Sequence, residues 1–275
     1  MQKFNFHTHT FRCGHTEYGM SDEDFVRELI KKGFRKMAFT DHCPQKNQID
    51  TRLYMRMDYS QAKEYLESIR TLKEKFKDEI QIESGFEIEY LPELENELFE
   101  LKSISDKLIL GQHFVYNKDK SNLKVLGVST FDKEDLLNYA NNIKIAMEKS
   151  LPDIVAHPDL FMLSSRTFGD AERQATEIIC QTAEKTGIPL EINLGRVANI
   201  VDCPQRYVEY PCREFWEIAS NYKINVLYGI DAHTRHQIRV CDKSIKIANE
   251  IIGKKTIKKL NFLTDCKETV WIGRK

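Results

Sequence analysis

The fold and the chemistry of this chain are organised around Phe4-Asn5-Phe6-His7-Thr8-His9-Thr10-Phe11-Arg12-Cys13-Gly14-His15, near the start of its 275 residues. Apolar and polar residues alternate at the beginning of this stretch, which predicts a β-strand. Side chains at positions i and i+2 of a strand point to the same face, so His7 and His9 can direct two imidazoles to one point. His15 follows in a loop where Gly14 permits a sharp turn. The stretch is therefore typical of the start of a metal site.

The composition, with 41% hydrophobic and 10% aromatic residues, indicates that the chain can bury a large core. The 41 Lys and Arg balance 42 Asp and Glu, so we expect no nucleic-acid partner, which would usually require a basic excess. Seven cysteines without a Cys-x-x-Cys pair favour free thiols in a reducing cytosol. No signal region and no run of ~18 apolar residues is present, so we expect a cytoplasmic protein without membrane contact. The oligomeric state is left open.

Strands and helices alternate along the chain. After the first strand, short apolar runs predict further strands at 36–40, 80–86, 108–111, 153–156, 189–194 and 225–230, and helical apolar spacing predicts crossover helices between them. Residues 114–130 are expected to be irregular, and a last strand is possible at 269–272. Seven or eight such units imply an α/β fold with a parallel sheet, most often closed into a barrel, as a single domain over residues 1–275.

Metal-binding side chains follow the predicted strands. In α/β barrels the chemistry lies at the carboxyl ends of the strands. These ends and the first loop carry seven of the eight histidines together with two carboxylates: His7, His9, His15, His42, His113, His157, His233, Glu87 and Asp231. Each residue alone has an ordinary structural explanation, but the joint pattern predicts a centre of Zn, Fe or Mn. Nine ligands fit two or three ions, with Glu87 as the natural bridge, and such centres suit phosphoester hydrolysis.

Short motifs surround these ligands: His7-Thr8-His9-Thr10, Cys13-Gly14-His15, Phe39-Thr40-Asp41-His42-Cys43-Pro44, Gly85-Phe86-Glu87, Gly111-Gln112-His113, Ala156-His157-Pro158 and Gly229-Ile230-Asp231-Ala232-His233. Together they resemble the polymerase and histidinol phosphatase (PHP) superfamily, and within it the histidinol-phosphatase branch, over nearly the whole chain. The resemblance implies a distorted seven-stranded (β/α) barrel with three divalent or trivalent ions of Zn, Fe or Mn. It assigns the first ion to His7, His9, Glu87 and Asp231, the second to Glu87, His113 and His157, and the third to His15, His42 and His233.

The resemblance also implies a reaction. A metal-dependent phosphomonoesterase of this branch hydrolyses L-histidinol phosphate to L-histidinol and phosphate in histidine biosynthesis, with Glu87 bridging the metals at the catalytic centre. Asp231 or His233 would pass a proton to the leaving oxygen. Arg166 and Arg196 are candidates to bind the phosphate, and a plain surface charge is the alternative for each.

Residues around the centre carry further expectations. Asp41 is expected to orient a ligand imidazole. The loops at 45–58, 117–130 and 159–170 are expected to line the mouth of the site, with Asp159 as a candidate partner for a substrate amine.

Two other functions compete with this one. The first is a PHP-type phosphoesterase acting on nucleotides or phosphodiesters, although the balanced charge argues against a long nucleic acid. The second is a metal-dependent regulatory module without turnover, against which the complete ligand set argues.

Overall fold

The structure is a computed structural model that describes residues 2–46, 55–117, 120, 122–165, 167–203 and 206–264. Arg166, the strand expected at 269–272 and residues 47–54 of the first mouth loop lie outside the described residues.

A curled parallel sheet forms the frame of the molecule. The described strands are β1 (Phe4–Asn5), β2 (Lys36–His42), β3 (Gln81–Ile88), β4 (Lys107–Leu110), β5 (Phe114–Tyr116), β6 (Leu123–Val125), β7 (Ile154–Val155), β8 (Leu190–Asn193), β9 (Asn225–Gly229) and β10 (Asn261–Phe262). Eight of them pair in the order β1-β2-β3-β4-β7-β8-β9-β10, all parallel. The seven predicted strands and the α/β class are confirmed, and β10 adds a short eighth strand.

Helices connect the strands, as predicted. The described α-helices are α1 (Asp22–Lys31), α2 (Ala62–Lys75), α3 (Glu95–Ile104), α4 (Lys133–Glu148), α5 (Asp170–Thr186), α6 (Gly195–Ala198), α7 (Arg213–Ala219), α8 (Arg235–Ile252) and α9 (Lys254–Ile257). Sequence-encoded caps fix several starts: Ser21 with Asp24 at α1 and Thr234 with Gln237 at α8 form reciprocal capping boxes. Such caps satisfy backbone donors that an isolated helix end leaves free.

The two sides of the sheet meet beyond β1 and β9. Thr8 forms a parallel bridge with Ala232, the amide of His9 donates to the Ala232 carbonyl at 3.0 Å, and the Ala232 amide donates to the His7 carbonyl at 3.1 Å. β10 pairs with the first residues of β9 instead. The β9 edge is therefore shared between β10 and the extension of β1, which brings His7, His9 and the residues around Ala232 to one rim.

Apolar side chains fill the interior below that rim. A separate buried cluster is formed by Phe4, Phe6, Ala38, Ile109, Ile154, Ala156, Leu227 and Leu263. Burying each large apolar side chain contributes roughly 1.5–3 kcal/mol. This packed floor holds the strand ends, and the side chains that follow them, in fixed positions.

The segment after β4 differs from expectation. Residues 114–125, expected to be largely irregular, contain an antiparallel hairpin in which β5 pairs with β6. Its strands are only three residues long and flank a polar turn, so the period-2 signal was too short to predict them.

No helix in the described ranges combines the length and apolar character needed to cross a membrane. The cytoplasmic location stays a prediction.

Candidate metal centre

Parallel pairing places the predicted ligands side by side. His42 at the end of β2 lies in register with Glu87 on β3. His157 and Asp231 follow β7 and β9 with backbone φ angles of 29° and 52°. Non-glycine residues with positive φ are uncommon and concentrate at functional sites. These turns direct His157 to Glu87 on β3 and Asp231 to His7 and His9.

Five imidazoles surround the Glu87 carboxylate. Oε1 lies 2.8 Å from His157 Nε2 and 3.6 Å from His113 Nε2, and Oε2 lies 3.0, 3.5 and 3.6 Å from His42 Nδ1, His9 Nε2 and His7 Nε2. Burial by itself would raise the pKa of Glu87, but the imidazoles, His42 foremost, hold that pKa well below its usual value. The carboxylate thus stays ionised, with its two oxygens facing different histidines.

Three imidazoles also surround the Asp231 carboxylate. Its Oδ1 lies 3.3 Å from His7 Nε2, 3.2 Å from His9 Nε2 and 3.3 Å from His233 Nδ1. Burial opposes ionisation, yet the charges of His7 and His233 hold the pKa of Asp231 well below its usual value. The rim therefore contains two buried carboxylates, both kept charged by shared imidazoles.

The donor set fits metal ions. Several buried ligand atoms lie close to one another but form no well-directed hydrogen bond with the described residues: His7 Nε2, His42 Nδ1, Glu87 Oε2, Asp231 Oδ1 and His233 Nε2. Buried polar atoms in proteins are nearly always satisfied, so such a group at one point indicates a missing partner. The candidate atoms also cluster within 4.8 Å, as in His7-His9-Glu87 and His9-His42-His233. Imidazole and carboxylate donors suit Zn, Fe and Mn.

The pKa values of three buried imidazoles are shifted by their surroundings. Burial lowers the pKa of His7, but Glu191, Asp231 and Glu87 outweigh it and raise that pKa well above 6.5. The pKa of His9 is raised in the same way against burial, mainly by hydrogen bonds to Asp231 and Asp41. At His42 burial prevails and lowers the pKa. Metal ions would replace the protons on His7 and His9.

Three buried carboxylates hold the outer nitrogens of the imidazoles. Asp41 Oδ1 lies 3.4 Å from His9 Nδ1, the contact expected of it. The sequence did not single out Glu191, which accepts from His7 Nδ1 at 3.0 and 3.1 Å, or the orienting role of Glu89, which accepts from His113 Nδ1 at 3.0 Å. A carboxylate in this position fixes the tautomer and ring of a metal-binding histidine. The sequence does contain a signal for Glu191, because it is a charged residue inside the otherwise uncharged strand β8.

Arg56, in the first mouth loop, binds Glu89, one of these three carboxylates. Its Nη1 and Nη2 donate to the Glu89 carboxylate at 3.2 Å each, and Nη1 also donates to the Cys43 carbonyl at 2.7 Å. Both side chains of the ion pair are buried. Arg56 therefore neutralises the carboxylate that orients His113.

The metal-binding rim is the floor of a small cavity of about 210 Å³. Its wall is apolar and comes from the expected mouth loops, with Met55, Leu126, Leu160 and Leu163, and from Tyr210. The three predicted loops thus contribute to the mouth.

The predicted substrate contacts of Asp159 and Arg196 have different outcomes. Asp159 does not reach the cavity: it is buried and accepts from the Cys212 amide at 2.7 Å and from Trp216 Nε1 at 3.0 Å, so its assignment to a substrate amine is wrong. It anchors α7 instead. Arg196 is exposed, pairs with Glu209 at 3.3 Å and lies over the ring of Tyr210, a cavity-lining residue, at 5.9 Å. Its phosphate-binding role stays a prediction, as does that of Arg166.

Comparison with known proteins adds relatives of similar length. The chain is 24% identical over 263 residues to the histidinol-phosphatase of Bacillus subtilis, covering 85% of this chain and 94% of that protein. A provisionally assigned histidinol phosphatase of Listeria monocytogenes superposes with a TM-score of 0.71 at 21% identity, covering 86% and 97% of the two chains. A Lactococcus lactis histidinol phosphate phosphatase, solved with zinc, L-histidinol and phosphate, gives 0.64 at 19%, covering 90% and 94%.

These structural likenesses establish the fold, an α/β architecture shared with both bacterial phosphatases. A sequence profile of the PHP domain matches residues 5–195, which is more than half of the chain. The matched region contains seven of the nine predicted ligands, and Asp231 and His233 meet them at the rim. The protein belongs to the PHP domain family.

Proposed function

We propose that this protein is a metal-dependent phosphomonoesterase that hydrolyses L-histidinol phosphate to L-histidinol and phosphate. The observation that carries the proposal is the cavity, where metal-binding side chains form the floor and an apolar wall rises above them. A phosphate needs cationic neutralisation, and a small ring needs apolar surface. The names of the bacterial relatives support the same substrate.

We further propose three ions, drawn from Zn, Fe and Mn. His7, His9, Glu87 and Asp231 would hold the first, Glu87, His113 and His157 the second, and His15, His42 and His233 the third. When bound, such ions supply an activated water and neutralise the charge that develops on a phosphate ester. Support comes from the contacts of Glu87, whose two oxygens face different imidazole groups.

The surrounding side chains would orient the reaction. Asp41, Glu89 and Glu191 hold imidazole rings in place, which fixes the nitrogens that face the cavity. Asp231 and His233 line the cavity and are the candidates to pass a proton to the leaving alcohol. The His233 ring is fixed for this by its Nδ1, which donates to the Asp231 carbonyl at 3.0 Å.

The cavity size favours a small monoester over a polynucleotide. A volume near 210 Å³ is below the roughly 300–1,000 Å³ of sites for drug-sized ligands. The imidazole of histidinol would pack against Leu160, Leu163 and Tyr210. A nucleotide or a phosphodiester is the alternative substrate.

Phosphate release from a panel of esters tests the proposal. Metal-loaded protein is expected to prefer L-histidinol phosphate over nucleoside monophosphates, diesters and a generic aryl phosphate by at least about tenfold. Glu87→Gln is expected to lose metal and to lower kcat by about 10²–10³-fold or more, while the exposed Glu217→Gln is expected to match wild type. Equal rates across the panel would refute the substrate, and full activity of Glu87→Gln would refute the bridge.

A further inference from the structure

Cys13 lies among the imidazoles of the metal centre. It ends a short helical turn, Phe11–Cys13, and Gly14 follows with a φ of 77°. Its side chain is 1% exposed. The sulfur lies within 4.8 Å of ligand nitrogens of His15 and His233, and in a second group it lies equally near His9 and Asp41. A buried cysteine in an ordinary core contacts apolar atoms, whereas this sulfur faces nitrogen donors.

The Cys13-Gly14-His15 and Asp231-Ala232-His233 turns share one contact, from the histidine ring to the carbonyl two residues earlier. His15 Nδ1 contacts the Cys13 carbonyl at 2.9 Å, and His233 Nδ1 contacts the Asp231 carbonyl at 3.0 Å. A carbonyl oxygen only accepts, so Nδ1 carries the proton in both rings and Nε2 keeps its lone pair for a metal. In each turn the side chain two residues before the histidine also faces the centre. Asp231 is one of the proposed ligands, and Cys13 occupies the equivalent position.

The sulfurs of two other cysteines, Cys43 and Cys212, make different contacts. Cys43 directly follows His42, yet its Sγ donates to the Pro44 carbonyl at 3.3 Å. The Cys212 sulfur likewise contacts a carboxylate of its own helix, Glu214, at 3.4 Å. Proximity to a ligand in sequence therefore does not bring a sulfur to the centre; the turn at Gly14 does.

We propose that Cys13, as a thiolate, is a fourth protein ligand of the ion held by His15, His42 and His233. This inference rests on the metal centre proposed above. Coordination displaces the thiol proton to solvent, and the donor set becomes three imidazoles and one sulfur. A soft sulfur ligand favours Zn²⁺ or Fe²⁺ over Mn²⁺ at this position. It also makes retention of this ion sensitive to thiol oxidation.

Spectroscopy of the metal-loaded protein tests the sulfur bond directly. In Co²⁺-substituted protein we expect a sulfur-to-cobalt charge-transfer band in the near ultraviolet. The band should be absent from Cys13→Ser and Cys13→Ala and unchanged in Cys203→Ser, which removes an exposed thiol. X-ray absorption of the zinc form, which averages over the three ions, should show one sulfur per three zinc ions at about 2.3 Å. Cys13→Ser should also bind one ion at least about tenfold more weakly in chelator competition.

Two results would overturn the proposal: a fully loaded wild-type protein without a sulfur neighbour, or a charge-transfer band that persists in Cys13→Ser. If the variants fail to fold by circular dichroism, X-ray absorption of the wild type decides alone. Phosphate release measured on the same samples separates the two proposals. Hydrolysis of histidinol phosphate without a sulfur ligand refutes only the role of Cys13, and a sulfur ligand without that hydrolysis refutes only the substrate.

Discussion

Single buried carboxylates decide how the imidazoles of this centre are presented. Glu191 is 1% exposed, contacts His7 Nδ1, and accepts from Asn193 Nδ2 at 2.7 Å. Gly229 on the adjacent strand leaves room for it, because a Cβ there would lie 2.0 Å from Glu191 Oε2. The absence of a side chain at Gly229 therefore leaves space for the Glu191 carboxylate, which does not line the cavity. Its purpose follows from its contact: it holds His7 with Nε2 toward Glu87 and Asp231.

Glu191→Gln tests that role. The amide oxygen can still accept from His7 Nδ1 but lacks the negative charge that strengthens this hydrogen bond and the basicity of the ring. We therefore expect metal affinity to fall by about 10–100-fold, the usual effect of losing such a partner. Metal content after chelator competition measures the change, and circular dichroism verifies the fold. Glu217→Gln, an exposed change, serves as the control. Unchanged metal affinity in Glu191→Gln would contradict the orienting role.

At the scale of elements, the first loop is clamped between two helices. Arg12, next to Cys13, donates to Asp22 of α1 at 2.7 Å and to Glu64 of α2 at 2.9 Å. Its guanidinium lies over the rings of Phe11 and Tyr65 at 4.3 and 5.7 Å. Planar guanidinium groups suit such combined ion-pair and stacking contacts. The loop that presents His15 is therefore held by side chains on α1 and α2.

The pairing of β3 with β4 brings Gly111 against Glu87, and this contact can be tested. A Cβ on residue 111 would lie 1.9 Å from Glu87 Oε1 and 2.6 Å from its Cδ. Gly111→Ala should therefore displace the carboxylate, lowering metal content and kcat together by about 10²-fold. We expect a loss of about 1–3 kcal/mol in the free energy of unfolding, typical of overpacking.

Metal analysis, phosphate release and urea denaturation measure these three effects. Gly169→Ala is the matched control, since its nearest neighbour is the flexible end of Glu172 at 3.3 Å. Wild-type metal content in Gly111→Ala would show that Glu87 can move without loss of the centre.

At the scale of the whole molecule, the centre links stability to pH. Despite burial, which lowers them, the pKa values of His7, His9, His15 and His157 are raised, chiefly by carboxylates and, at His15, by Cys13. Burial lowers the pKa of His42. A raised pKa contributes stability below the unfolded value of 6.5 that is lost as pH rises through the folded value. His42 acts in the opposite direction, as does Cys13, whose pKa is lowered to about 5 against burial, chiefly by the hydrogen bond to His15. Four raised groups stand against these two.

We therefore expect the metal-free protein to lose stability between about pH 6 and about pH 9. Metal-loaded protein should gain stability over the same interval, because fewer protons compete for the imidazoles. Urea denaturation of chelator-treated and zinc-loaded samples at both pH values measures the two trends. A metal-free protein that became more stable at the higher pH would contradict the proton-binding role of these histidines.

Much of the fold was predictable because its signals are local. Alternating or continuous apolar runs mark the strands at 36–40 and 225–230, and Ser21 with Asp24 marks the start of α1. The hairpin β5–β6 was missed because its strands are short. The nine candidate ligands were recognisable because they lie at the carboxyl ends of strands or in the loops that follow, and parallel strands bring these ends together.

The sequence by itself determined the strand–helix order and which side chains stand at the strand ends, since both depend on neighbours in the chain. Only the tertiary structure decided which of those side chains meet. It joined His7 to Glu191 across 184 positions, buried Asp159 against Trp216 instead of exposing it to substrate, and turned Cys13 toward His233. The physical reason is that these contacts depend on how the sheet curls and closes between Thr8 and Ala232, which no local pattern encodes.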